Sequence, residues 1–241
     1  MSLAVAVRAI DGIALAADTR TTLTSTQKKS SGGGSVTTSY PASDGATKLF
    51  QFLGFGVSVV GNPIVAGRSV ASLLHELEAE VIKEMADAEQ MLTVKEAGER
   101  IGNVIRRELA AASEPGDVNI MCSGFDEAGA PTTAKVHVQG DKMTIPADPN
   151  TGIGLEAAGD SSVVQALWAM PSVKSMGGTM LQLLPLCDVV DYARFLIETT
   201  RDYQRYHLLP QTVGGGVDIA VIERGQGFKW IRRADRLNGG R

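Results

Sequence analysis

Residues 3 to 18 constrain this chain most strongly. Two short apolar runs, Leu3 to Ala9 and Ile13 to Ala17, flank Asp11-Gly12, a dipeptide that favours a tight hairpin turn. In the first run Leu3, Val5 and Val7 alternate with Ala4 and Ala6. The spacing predicts paired strands covered on both faces, with the alanine face packed closely. The second run ends at Asp18, a charge placed directly after Ala16-Ala17. Just ahead of the first strand stands Ser2, which becomes the N-terminus once Met1 is removed. A free N-terminal serine carries a hydroxyl nucleophile and an α-amine base on one residue. A catalytic pair can be built there without histidine.

The 241 residues suffice for one large domain, 1–241, with a substantial core. Lys and Arg number 23 against 27 Asp and Glu, for a net charge of −4, with no basic block to attract nucleic acid. No apolar run approaches the roughly 20 residues of a membrane span. Arg8 and Asp11 interrupt the N-terminal apolar stretch within signal-peptide length, so a cytoplasmic location is expected. Cys122 and Cys187 lack metal-site spacing and read as small buried residues in a reducing compartment.

Residues 21–46 are rich in Thr, Ser and Gly and read as an extended polar loop that includes Lys28-Lys29 and Ser30-Ser31-Gly32-Gly33-Gly34-Ser35. One strand-like run follows from Lys48 to Val60. Asn62-Pro63 then matches a helix start, with Val70, Leu73, Leu74, Leu77, Val81 and Met85 as its apolar stripe. Thr93 and Glu96 form a capping box for a second helix with the stripe Ala97, Ile101, Val104, Ile105 and Leu109. Residues 118–124, 133–138 and 152–158 read as strands, Asp188 as the cap of a third long helix, and Val217–Ile222 with Gly227–Ile231 as a closing hairpin. Strands and helices are grouped rather than alternating. That pattern predicts an α+β layered domain of two antiparallel sheets with helices outside.

An N-terminal nucleophile needs a neutral amine, and the α-amine has an unperturbed pKa of about 7.7–8.0. A nearby lysine ammonium keeps it neutral by like-charge repulsion, and an aspartate holds that lysine charged and oriented. A backbone N–H freed by glycine serves as oxyanion donor. Asp18, Lys48 and Gly61 have the right chemistry, and a helix starting at Asn62-Pro63 would add its dipole at Gly61. Each has an ordinary structural reading as well: a strand-end turn, a surface lysine, a glycine for close packing. His75, His137 and His207 follow no triad or metal pattern, and His75 falls between the apolar stripe and the charged face of its helix.

Several ordered segments resemble proteasome-type N-terminal-nucleophile hydrolases. LAVAVRAIDGIALAADTR is similar to the family's opening hairpin, ATKLFQF to its Lys-containing segment, and VGGGVDIAVIE to its C-terminal Gly-Gly-x-Val-Asp run. GVSVVGN resembles most the bacterial proteasome-like branch called Anbu. The resemblance spans residues 2–223 and implies a four-layer αββα sandwich. By position it implies that Ser2 is the nucleophile, Asp18 and Lys48 its supporting pair, and Gly61 the oxyanion donor. It places Arg20 beside the Asp, and Val59 at the pocket for the residue before the scissile bond. Both are expected on the substrate side of the site. No metal or organic cofactor is implied.

The chain also departs from the family. Ser replaces Thr at the nucleophile, and Pro210 stands where the family has an Asp, with Asp160, Ser161 and Thr212 as potential substitutes. Only Met1 stands ahead of Ser2 in the sequence, so removal of Met1 alone is expected to free it. The implied activity is peptide-bond hydrolysis on peptide or unfolded protein within a homo-oligomeric ring, an ATPase partner being left open. A non-catalytic subunit of the same fold and an amidase for small molecules are the alternatives.

Overall fold

The computed structural model describes residues 2–28, 35–88, 92–112, 116–171, 173, 180–207 and 209–234. Met1, Lys29, the 30–34 glycine-serine stretch and Glu114-Pro115 lie outside them. The opening hairpin forms as expected. β1 (Leu3–Arg8) pairs antiparallel with β2 (Gly12–Asp18), and the Ala9 N–H closes the turn on the Gly12 carbonyl at 2.9 Å.

This hairpin is the centre of a five-stranded antiparallel sheet. β1 also pairs with β13 (Gly154–Gly159), and β2 with β14 (Val217–Glu223), which turns back into β15 (Gly227–Arg232). The second sheet is built from β5 (Leu49–Phe52), β6 (Phe55–Gly61), β9 (Asp117–Phe125), β10 (Pro131–Gln139) and β11 (Lys142–Thr144), with β12 (Asn150–Thr151) also on β10. Two antiparallel sheets accompanied by helices agree with the α+β expectation.

The two-residue alternation decides which neighbour each face meets. Leu3, Val5 and Val7 pack with Val189, Ala193, Leu196 and Ile197 of α4 (Leu186–Tyr206) and Val164 of α3 (Ser162–Ala169). The other face, Ala4, Ala6, Leu15 and Ala17, packs with Leu49, Val60 and Met121 of the second sheet. The far side of that sheet, including Val57, Val59, Ile120 and Val136, is covered by α1 (Val70–Ala88) and α2 (Val94–Ala112). The α2 capping box forms as read: the Glu96 N–H donates to Thr93 Oγ1 at 3.2 Å and the Thr93 N–H to Glu96 Oε2 at 2.9 Å.

Five expectations are corrected. Residues 21–46 contain a two-stranded hairpin of β3 (Thr21–Lys28) and β4 (Ser35–Ser43) instead of a loop; the β-branched threonines of 21–26 favour strand despite their polarity. The run from Lys48 to Val60 is two strands, because Leu53 (φ 54°) and Gly54 (φ 104°) reverse the chain between β5 and β6. Asn62-Pro63 opens no helix. It leads into a small hairpin of β7 (Ile64–Val65) and β8 (Arg68–Ser69), turned by Ala66 (φ 51°) and Gly67 (φ 74°). The helix starts only at Val70, where Ser69 Oγ accepts from the Ser72 N–H at 3.2 Å. Asp188 is not a cap, since Pro185 holds that position and Asp188 sits in the first turn of α4. Cys122 is buried as expected, but Cys187 is exposed.

Candidate active site

Strand direction gathers the candidate residues at one end of both sheets. In the first sheet β1 starts beside Ser2, β2 ends at Asp18 opposite Val217, and β13 ends at Gly159 opposite Leu3. In the second, Lys48 precedes β5, its carbonyl accepts from the Val59 N–H at 2.8 Å, and β6 ends at Gly61. Ser2, Asp18 and Lys48 are buried at 5%, 1% and 6% exposure. Burial of such polar groups is tolerable only if their hydrogen bonds are made.

They are made. The Asp18 carboxylate accepts the Leu3 N–H on Oδ1 at 2.9 Å, and the Arg20 and Gly214 N–H groups on Oδ2, each at 3.1 Å. The Lys48 ammonium completes the set on Oδ1 at 2.6 Å. Lys48 Nζ also donates to the Arg20 carbonyl at 2.6 Å, and the same carbonyl accepts the Ser2 hydroxyl at 3.2 Å. Burial pushes the lysine below its usual pKa range, while Asp18 and, from β14, the buried Asp218 pull it back up.

Ser2, Lys48, Val59 and Gly61 line one cavity of about 660 Å³, with Thr21 and Thr22 on one wall and Phe50, Ile64 and Val70 contributing apolar surface. That size suits a small ligand or a short stretch of peptide. Among its described lining residues, Lys48 is the one charged side chain. Gly61 has φ of 122°, and a Cβ there would lie 2.1 Å from the Asp117 carbonyl oxygen. Because the helix starts at Val70, its N-terminus does not lie at Gly61 as the sequence suggested. The Arg20 side chain is not among the described lining residues; its guanidinium binds Asp44 and Gln211. No group of three metal-binding side chains occurs among the described residues.

On the other flank of Ser2, the Asp160 N–H donates to the Ser2 carbonyl at 2.7 Å. Asp160 Oδ2 accepts the Thr212 hydroxyl at 2.7 Å and Gln204 Nε2 at 2.9 Å, and Ser162 Oγ donates to Oδ1 at 3.0 Å. The structure thus brings Asp160 and Thr212 together, whereas Ser161 Oγ accepts from the Gln165 amide instead. Sequence reasoning missed Gln204. Its signal was a polar residue continuing the buried α4 stripe of Ala193, Ile197 and Thr200 at alternating four- and three-residue spacing.

No protein-family model matches the sequence, and no curated protein matches it. No described helix is long and apolar enough to cross a membrane. Among solved structures the chain is similar to Anbu (ancestral beta-subunit) from Yersinia bercovieri, at 16% identity over 96% of this chain and 87% of that chain, with a TM-score of 0.53. The likeness extends over nearly the whole chain, and at this identity it shows the fold alone: the chain shares the fold of Anbu, an ancestral beta-subunit.

Proposed function

We propose that the protein is a proteasome-like hydrolase subunit in which Ser2, freed of Met1, cleaves peptide bonds. The observation that carries this reading is the shared Arg20 carbonyl. It accepts from both the Ser2 hydroxyl and the Lys48 ammonium, while Lys48 is held on Asp18 at 2.6 Å. Ser2 Oγ attacks the substrate carbonyl as the α-amine takes the hydroxyl proton through a water. The Lys48 charge favours the neutral amine. The Gly61 N–H stabilises the oxyanion. The amine then protonates the leaving nitrogen, and water attacks the acyl-enzyme to regenerate Ser2.

Asp160 supports the reading: its N–H binds the Ser2 carbonyl, and its carboxylate, held by the Thr212 hydroxyl, is the one that Pro210 cannot supply. The apolar cavity wall, with Val59, Ile64 and Val70, favours uncharged side chains before the scissile bond. The helices packed on the outer face of each sheet support the four-layer αββα arrangement. On this reading the subunit works in the cytoplasm as part of a homo-oligomeric ring acting on peptide or unfolded protein.

Intact mass spectrometry is expected to show loss of Met1, and a peptide boronate is expected to inhibit Ser2-dependent hydrolysis competitively. Retention of Met1 throughout, or full hydrolysis in Ser2→Ala, overturns the proposal. Sedimentation is expected to give a closed oligomer, and a strict monomer overturns the ring.

A further inference from the structure

The run Gly214-Gly215-Gly216 has a steric reason in this fold. A Cβ at Gly214 would lie 2.4 Å from Arg20 Cζ and 2.6 Å from Arg20 Nε. One at Gly215, where φ is +71°, would lie 2.5 Å from Thr19 Oγ1 and 3.0 Å from Asp44 Cβ. The bare backbone is therefore the seat on which Arg20 and Asp44 meet.

They meet as a fork. Arg20 Nε and Nη2 donate to Asp44 Oδ1 and Oδ2 at 2.7 and 2.9 Å, and Nη1 reaches Gln211 Oε1 at 3.4 Å. Two parallel charge-assisted bonds fix orientation as well as distance. The neighbouring residue is tied to the same partners. Thr19 Oγ1 donates to the Asp44 carbonyl at 2.6 Å, its N–H donates to the Gly216 carbonyl at 3.1 Å, and its own carbonyl accepts from the Ala46 N–H at 2.9 Å.

What this clasp holds is the peptide unit after Arg20. Its carbonyl faces the site and accepts from Lys48 Nζ at 2.6 Å and Ser2 Oγ at 3.2 Å. The next residue, Thr21, begins β3. Among the described residues β3 and β4 pair with each other and with no other strand. Without the clasp, any swing of that hairpin would rotate the Arg20 carbonyl. Asp44 lies at the far root of the hairpin, just after Ser43 ends β4, so the fork pins both roots together.

We propose that Asp44 is a positioning residue: through its fork to Arg20, seated on Gly214 and Gly215, it fixes the carbonyl that orients Lys48 and Ser2. The proposal rests on the reading of Ser2 as nucleophile, and it gives the Arg20 side chain a structural task in place of contact with substrate. Arg20 is strongly held, and Asp44 stays ionised below the usual carboxylate range, each because of the other.

The test compares Asp44→Asn and Arg20→Asp with the swapped variant Arg20→Asp/Asp44→Arg, using hydrolysis of an apolar peptide amide and a crystal structure of Asp44→Asn. The pair is partly solvated, so the loss is moderate. Asp44→Asn is expected to lower kcat about tenfold (about 1.4 kcal/mol of barrier) with KM within about twofold. The swapped variant is expected to recover kcat to within about threefold, whereas Arg20→Asp alone does not. If Asp44→Asn does not fold, that recovery carries the test. In the crystal structure of Asp44→Asn the Arg20 carbonyl is expected to leave Lys48 Nζ. An unchanged kcat, or a carbonyl still on Lys48, overturns the proposal. Absence of any Ser2-dependent turnover in the unsubstituted protein sinks the Ser2 reading instead, and the carbonyl position in Asp44→Asn then still decides the role of the clasp.

Discussion

Asp18 and Lys48 lie thirty residues apart in sequence, on different sheets, and their charged atoms meet at 2.6 Å in a setting where both side chains are almost fully buried. Removing one partner of such a pair strands the other charge in a dry place. Lys48→Met is therefore expected to cost about 3–5 kcal/mol of stability in urea unfolding. The double variant Lys48→Met/Asp18→Asn should regain part of that loss without regaining hydrolysis. A double variant as unstable as the single one would show that lost packing, and not the stranded carboxylate, sets the cost.

The depressed pKa of Lys48 makes a prediction about pH. Burial of the ammonium lowers it from its ordinary value of 10.5. Between the folded value and 10.5 the unfolded chain binds more protons, so stability is expected to rise with pH across that window. The rise should be absent from Lys48→Met. Hydrolysis is expected to follow a bell: an acid limb as the Ser2 amine loses its proton, and an alkaline limb, below the usual lysine range, as Lys48 loses its own. A pH-rate profile flat to pH 10.5 would remove Lys48 from the mechanism.

Gly61 is a position where side chains do not fit. Its φ of 122° is unfavourable for any L residue, and an added methyl would collide with the Asp117 backbone at 2.1 Å. Gly61→Ala is expected to lose at least about 2 kcal/mol in strain alone and to lower the melting temperature. An unchanged melting temperature would mean that the β6 end relaxes freely, contrary to the strand pairing of Gly61 with Val118.

The two thiols are expected to behave oppositely. Burial pushes the Cys122 thiol up to about 12, whereas Cys187 is exposed. Ellman's reagent should count one fast thiol in the native protein and two after denaturation. Two fast thiols in the native state would contradict the packing of Cys122 beneath α2.

Much of this arrangement was legible from local pattern. The opening strands declared both their pairing and their two covered faces, because alternation of Leu and Val with Ala is a direct record of which side must accept close neighbours. The Thr93–Glu96 box and the stripes of α1 and α2 were readable for the same reason. The β3–β4 hairpin was not, since its threonines are polar enough to resemble loop while their branched Cβ favours strand. The turn at Ala66-Gly67 hid behind Asn62-Pro63, whose helix-start chemistry is real but was overridden by a left-handed pair four residues later. In the site, Ser2, Asp18 and Lys48 could be named from chemical need. Asp44 could not, because its partner lies across a hairpin and nothing in Ser43-Asp44-Gly45 advertises it. The meeting of Asp160 with Thr212 and Gln204 depends on three distant segments that no spacing connects.

The alanine face of the opening strand has a consequence beyond packing. Ser2 and Asp18 ride on one sheet, Lys48 and Gly61 on the other, and the layer between them is made partly of Ala4, Ala6, Ala17, Ala158 and Ala220. The gap that the proposed chemistry must bridge is therefore a thickness, set by methyl groups well away from the substrate. A single Ala6→Leu change would act as a shim in a hinge-less joint. It would prise nucleophile from ammonium while leaving every reactive side chain chemically unchanged.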